Sequence, residues 1–368
     1  MILTDTAIIF SLVVLGYRWE RRWKLSKWYI SPPLAGGTFG AILLGIYFYL
    51  TGSSWSPSDD INHALLTSFL FFIGIKIGMI YEKKHGLRLV YLFLFSVFII
   101  LLLEGLVWIL FRQSPFLIQL FGSSTLAWNQ EWIERVLPYF PEEHSVNTYY
   151  QITLLFVFLL SPIVIGLMRS FIPLQQTPQT NLTIRNWNLL ALILQATVTS
   201  IALWLKHAWL SHILFLFDFV ISMTFGMITG WLLRKITGKG RELFLRTVQE
   251  IGIFSLYGFI IAMMLVSASE LFVHGSLLII GLLFIKIIIV SLIYIGISRK
   301  WAKNHRQLVL WSACWAFTLS APVSCMNAMR SVVEQHGEAD EVLFIVPPII
   351  LWLINYPHYA IFAWFYGP

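Results

Sequence analysis

The sequence predicts an all-α polytopic membrane protein of about ten transmembrane helices, arranged as two echoing halves of five. Three observations lead there. Of the 368 residues, 58% are hydrophobic and 12% charged, whereas a soluble domain is about half apolar and a quarter charged. The apolar residues gather in ten runs, at 3–17, 34–50, 61–80, 88–111, 150–171, 187–205, 211–233, 246–268, 271–297 and 342–366, most of them long enough to cross a hydrocarbon core of about 30 Å. The triplet Thr38-Phe39-Gly40 in the second run returns as Thr224-Phe225-Gly226 in the seventh. Elements five spans apart cross the bilayer in opposite directions, which makes this an inverted repeat. The plainer reading of the same residues is a pair of helix-packing faces, Gly36-x-x-x-Gly40 and Gly226-x-x-x-Gly230.

Charge sets the orientation. With the N-terminus outside, the cytoplasmic loops hold 19 of the 25 Lys and Arg, in clusters at Arg18–Lys27, Lys83–Arg88, Arg169 and Arg185, Arg234–Arg246 and Arg299–Arg306. The outer loops hold Arg112, Arg135 and Lys206. This is the positive-inside pattern, so the net charge of +7 reports topology and calls for no nucleic acid. The first run has no basic region before it and no small-residue cleavage site, and is expected to remain as a span.

The halves are expected at 1–172 and 189–368, joined by a cytoplasmic linker at 173–188 whose polar composition and two prolines carry no apolar period. One stretch, 308–333, is apolar enough for a membrane yet holds Ser320, Pro322, Ser324 and Asn327 at its centre. It is either a span with a proline kink or a broken helix that lines a cavity. Both cysteines, Cys314 and Cys325, fall within it and read as two small buried thiols.

Ala321-Pro322, Asn327-Ala328-Met329, Glu334-Gln335-His336-Gly337 and Ile345-Val346-Pro347 follow one another in a telling order. Together they resemble the T-P step, A-N-M element, T-E-R-x-G turn and V-V-P helix of the bacterial glutamate–sodium symporters. Ile30-Ser31-Pro32-Pro33-Leu34-Ala35-Gly36-Gly37 is similar to that family's I-P-E-P-V-A-G-G. The resemblance is collinear over most of the chain. It implies a 5+5 inverted repeat with re-entrant hairpins, the second near 308–333, in a multi-pass protein of the bacterial inner membrane. It also implies a homodimer in which one domain moves against a fixed scaffold, carrying a small carboxylate such as glutamate, with Na⁺ as coupling ion and no cofactor. The substrate contacts it implies are Ser123, Ser124 and Thr125 from a first hairpin, and Thr318, Ser320, Ser324 and Asn327 from the second.

The chain departs from the family at defined places. Gly122 to Ala127 runs straight into Trp128 to Arg135 where the family carries a Gly-Gly-His-Gly-Thr tip, and Trp315, Ala316, Thr318 and Ser320 replace hairpin glycines. Lys76 stands where the family has I-G-L-N, and Asn355 stands for an Asp. A sodium site is built from oxygens and needs negative potential. One change adds positive charge and the other removes negative charge, so both oppose strict sodium coupling, and Lys76 and Asn355 become the charge-compensating candidates. Among further ionisable residues in or at the ends of the runs, Glu104, Asp218, Glu250, Glu270 and Lys286 are costly enough to be candidates by default, with snorkelling as the plain reading of the lysines. The second expectation is a transporter fold that no longer transports and serves as scaffold or binding partner, which the missing glycines and Asp favour. Enzymatic chemistry is not expected, since no nucleophile–base or metal spacing occurs.

Overall fold

The computed structural model describes residues 2–80, 98–99, 102, 143–172, 189–207, 218–235, 239–320, 322–337 and 346. Among these residues the structure is helical, with no strand. Five helices are long and apolar enough to cross a membrane: Pro32–Thr51, Asp59–Met79, Thr148–Arg169, Gly240–His274 and Leu277–Trp301. Composition and structure thus agree on a helical, membrane-embedded protein. The linker 173–188, the first hairpin and most of the runs at 88–111 and 342–366 lie outside the described residues.

α1 (Ile2–Trp23) starts with Asp5, buried, whose carboxylate accepts the Ser58 N–H at 3.2 Å. A 3-10 turn at Leu25–Trp28 follows, flanked by Lys24 at φ 50° and Tyr29 at φ 59°. Left-handed backbone without glycine is strained and persists only where packing holds it. Tyr29 is buried and tied into the structure by its hydroxyl. α2 (Pro32–Thr51) carries proline at its first two positions, where the lost N–H has no helical partner anyway. Its first turn is buried against α1, where a Cβ on Gly36 would sit 2.3 Å from the Leu12 carbonyl oxygen.

α3 (Asp59–Ile80) and α6 (Asp218–Arg234) run side by side with backbones in contact, since a Cβ on Gly74 would lie 2.2 Å from the Met223 oxygen. Ser222 bonds the Thr67 carbonyl at one end of the pair and Arg234 the Met79 carbonyl at the other, so the two helices are parallel. α4 (Glu143–Arg169) contains Pro162, which leaves the Phe158 carbonyl without its helical N–H. Ser161 donates to that oxygen at 2.9 Å and restores the bond inside the apolar layer. On α5 (Leu189–His207), Gln195 donates to both the carbonyl and the hydroxyl of Ser68, and Ser255 donates to the same hydroxyl.

α7 (Lys239–His274) is 36 residues long. The expected break at 268–271 falls later, at Gly275-Ser276, because Ser276 caps α8 (Leu277–Trp301) by accepting the Ile279 N–H. α9 (His305–Leu319) and α10 (Pro322–His336) complete the described chain. α2 packs on α1 and α7, and α6 packs on α5 and α3. α3 and α7 pack on each other, while α1 and α5 each touch both. α4, α8, α9 and α10 form a second group, with α4 also against α7.

Candidate functional site

The stretch from 308 to 333 folds back on itself. Asn304 caps α9 by accepting the Gln307 N–H, and α9 ends at Ser320, whose backbone is extended at φ −158°. Cys325 then donates to the Ala313 carbonyl at 3.1 Å and Ser324 to that of Ala316 at 3.4 Å. Pairing of 313 with 325 and of 316 with 324 makes an antiparallel hairpin, so the segment is not one kinked span. Each arm has 15 residues, about 22 Å at 1.5 Å per residue, shorter than the hydrocarbon core. Extended backbone at Ser320 needs no glycine, which explains how the turn forms without the glycines that the resemblance led one to expect.

The four candidates on this hairpin divide into two kinds. Thr318 bonds the Cys314 carbonyl at 2.8 Å and lies 2.6 Å from the Tyr294 hydroxyl, and Ser324 donates back to α9. These two hold the hairpin and its seat on α8 together, as does Trp315, whose indole N–H donates to Ser291. Ser320 and Asn327 differ. Both are 0% exposed, and among the described residues the Ser320 hydroxyl and the Asn327 Nδ2 amide have no hydrogen-bond partner. A buried donor left unmade costs about 1–3 kcal/mol, which an incoming acceptor recovers. Asn327 is held in register by Ser31, which donates to its Oδ1 at 3.1 Å.

Lys76 lies on α3, whose principal neighbours are α6, α7 and α5 and not the hairpin. Lys286 is not at a helix end: it is 1% exposed in the body of α8, which a snorkelling lysine would not be. Glu270 accepts from Thr148, and Glu250, with its side chain 4% exposed, pairs with Arg246. Ser123, Ser124, Thr125 and Asn355 lie outside the described residues, as do Glu104 and the side chain of Asp218. Comparison with models of known families, with curated proteins and with solved structures returns no match.

A set of groups that sequence reasoning passed over lies one to two turns below Asn327 on α10. Arg330 Nε points at both the Tyr257 hydroxyl, at 3.1 Å, and Glu334 Oε1, at 3.3 Å. Tyr257, on α7, also donates to Glu334, and its ring packs 5.5 Å from that of Tyr17 on α1. The Arg330 and Glu334 side chains are 12% and 13% exposed. Farther along, the Tyr29 hydroxyl meets His336 Nε2 at 2.9 Å, and the Gln335 amide donates to the Lys27 carbonyl. Burial holds His336 down at about 4, with Arg169 and His305 adding to the effect. Burial also raises the Tyr29 phenol to about 12, against the opposing pull of Arg169. Both groups are therefore neutral near pH 7. One side of α10 is thus a polar seam facing α1, α2 and α7, bridged by side-chain tips. The closest packing of α10 is elsewhere, on α9, α4 and the 3-10 turn.

Proposed function

We propose that this protein is a secondary active transporter that moves a small carboxylate such as glutamate across the membrane. One observation carries the reading. The hairpin turn buries two polar side chains, Ser320 and Asn327, whose donors face no acceptor among the described residues. In a membrane interior such donors are retained where a ligand completes them, and a carboxylate offers only acceptors.

The packing supports an inverted repeat, the architecture that such carriers share. Exchanging α1 with α5, α2 with α6 and α3 with α7 maps each closely packed pair of these six helices onto a pair that also packs. Directions agree as well. Gly36 and Gly40 of α2 face Ile261 and Leu265 of α7, so those helices are parallel, as α3 and α6 are. α3 and α7 are antiparallel, since Leu65 faces Gly258 and Phe72 faces Gly252. α2 and α3 of the first half therefore run opposite to α6 and α7, their counterparts in the second. In this reading α1–α3 and α5–α7 are the scaffold, and the hairpin travels with α4 and α8. The short arms support a re-entrant reading of 308–333, in line with the resemblance to the glutamate–sodium symporters.

The second reading, a transporter fold that only binds or scaffolds, draws on a different observation. Leu308 to Ser320 are buried without interruption and Cys325 is 0% exposed, so the hairpin is sealed in this conformation. Uptake of labelled glutamate by purified protein in liposomes separates the two. The transport reading expects accumulation under a sodium or a proton gradient, and no uptake under either leaves the scaffold reading.

A further inference from the structure

Arg330 is under-used by its surroundings. A guanidinium carries five N–H donors in a rigid fork. Among the described residues both of its hydrogen bonds leave from Nε, and that single N–H is shared between Tyr257 and Glu334. The paired Nη groups, the edge that grips a carboxylate with two parallel bonds, have no bond to a described residue. Such a group, 12% exposed within a membrane protein, is an anion anchor waiting for its anion. It sits one turn from Asn327, on the same side of α10, with the orphan Nδ2 donor on that neighbour.

Glu334 already supplies one negative charge here. If a substrate carboxylate docked on Arg330 with Glu334 ionised, two anions would share one cation in a medium that punishes unbalanced charge. The balance closes when a proton from water joins the Glu334 carboxylate as substrate arrives. The site then goes from guanidinium plus carboxylate to guanidinium plus substrate carboxylate plus a neutral acid, and its net charge is zero before and after. We propose that Arg330 binds the substrate carboxylate while Glu334 takes up the coupling proton, so that this protein is a proton–carboxylate symporter. The inference rests on the transport reading and adds the anchor and the coupling ion to it. It also fits the departure at Asn355, which removes a negative charge that a sodium site would use.

Several titratable and charged groups face Glu334. They are Tyr257 on α7, Tyr17 and Glu20 on α1, and Arg330 on its own helix, with Arg21 next to Tyr17. His336, two residues on, faces Tyr29, Arg169 of α4 and His305 of α9. Tyr257 donates to Glu334 and also accepts from Arg330, so it can stay between the two when they part. His336 is the rival proton acceptor.

The test uses full-length protein in detergent, sodium-free and weakly buffered, titrated with potassium L-glutamate from pH 5 to 9 while a dye reports proton uptake. Wild type is expected to take up about one proton per glutamate at the alkaline end, with affinity falling about tenfold per pH unit there. Glu334→Gln, a mimic of the neutral acid, should bind glutamate with no proton uptake and no pH dependence. Arg330→Lys, which keeps the charge and loses the fork, should bind at least about tenfold more weakly. Binding without proton uptake at every pH overturns the proposal, as does uptake that survives Glu334→Gln and vanishes in His336→Gln. In proteoliposomes, accumulation under a sodium gradient with no response to a pH gradient rejects proton coupling and leaves the transport reading standing. Absence of both binding and accumulation rejects the two together.

Discussion

Ser31, at the entry to α2, donates its hydroxyl to Asn327 Oδ1 at 3.1 Å across 296 positions of sequence. The bond joins the start of α2 to the hairpin and turns the Asn327 carbonyl toward α2. The Nδ2 donor is therefore left pointing away, ready for an acceptor. Asn327→Ala removes that donor, and losing a buried hydrogen bond to a charged group costs about 1.5–3 kcal/mol. Glutamate affinity is expected to fall about ten- to a hundredfold with the fold retained, as measured by calorimetry on protein that remains monodisperse. Ser31→Ala should fall on the same side with a smaller effect, because Asn327 then loses only its orientation.

The Tyr29–His336 contact makes a prediction in pH. The imidazole titrates at about 4 in the folded protein against an ordinary value of 6.5. Between those values the unfolded chain binds a proton that the folded chain refuses, so stability is full above the window and declines as pH falls through it. The melting temperature should drop from pH 6.5 to 4.5, and His336→Gln should drop less over the same range. Equal declines would mean that other groups carry the acid sensitivity.

Helix contact at glycine gives a test of packing. A Cβ on Gly226 would meet the Phe71 oxygen at 2.3 Å, a backbone atom that cannot turn aside. Gly226→Leu should lower the melting temperature sharply, at a cost of about 3 kcal/mol or more. Gly281 of α8 has nothing within 4 Å of the same position. Gly281→Ala should hold or gain up to about 1 kcal/mol through helix propensity. Similar behaviour of the two would contradict the α3–α6 contact.

Much of this arrangement was legible in the chain. Alternating apolar runs and basic clusters mark a membrane protein because hydrocarbon admits nothing else, and Pro322 among hydroxyls marks a kink or a break because proline has no N–H to donate to the carbonyl four residues before it. The glycine pairs were legible as packing faces, and that is the use to which Gly36, Gly40, Gly226 and Gly230 are put. Arg330 was not legible. Beside Glu334 it reads as the edge of an acidic turn, and its other partner, Tyr257, is 73 residues away on α7. The division of Thr318 and Ser324 from Ser320 and Asn327 was equally hidden, since all four are small polar residues in one run. Only the fold decides which of them find partners within the protein.

Topology offers a further check on the hairpin. If its arms return to the side they left, Glu338→Cys, just beyond α10, should react only with reagents that reach the cytoplasm. Labelling from outside in intact cells would mean that the segment crosses the membrane.

Cys325 reports most directly on whether the hairpin turn opens to water and receives a carboxylate. Its thiol is 0% exposed and donates to the Ala313 carbonyl between the two arms, so it reacts only when the hairpin is opened or its seat is wetted. In a Cys314→Ser background a small, charged thiol reagent is expected to modify Cys325 slowly, and saturating L-glutamate should slow the reaction by about tenfold or more. A thiol that never reacts, in membranes at any pH or gradient and with or without glutamate, would make the hairpin sealed core and contradict the account.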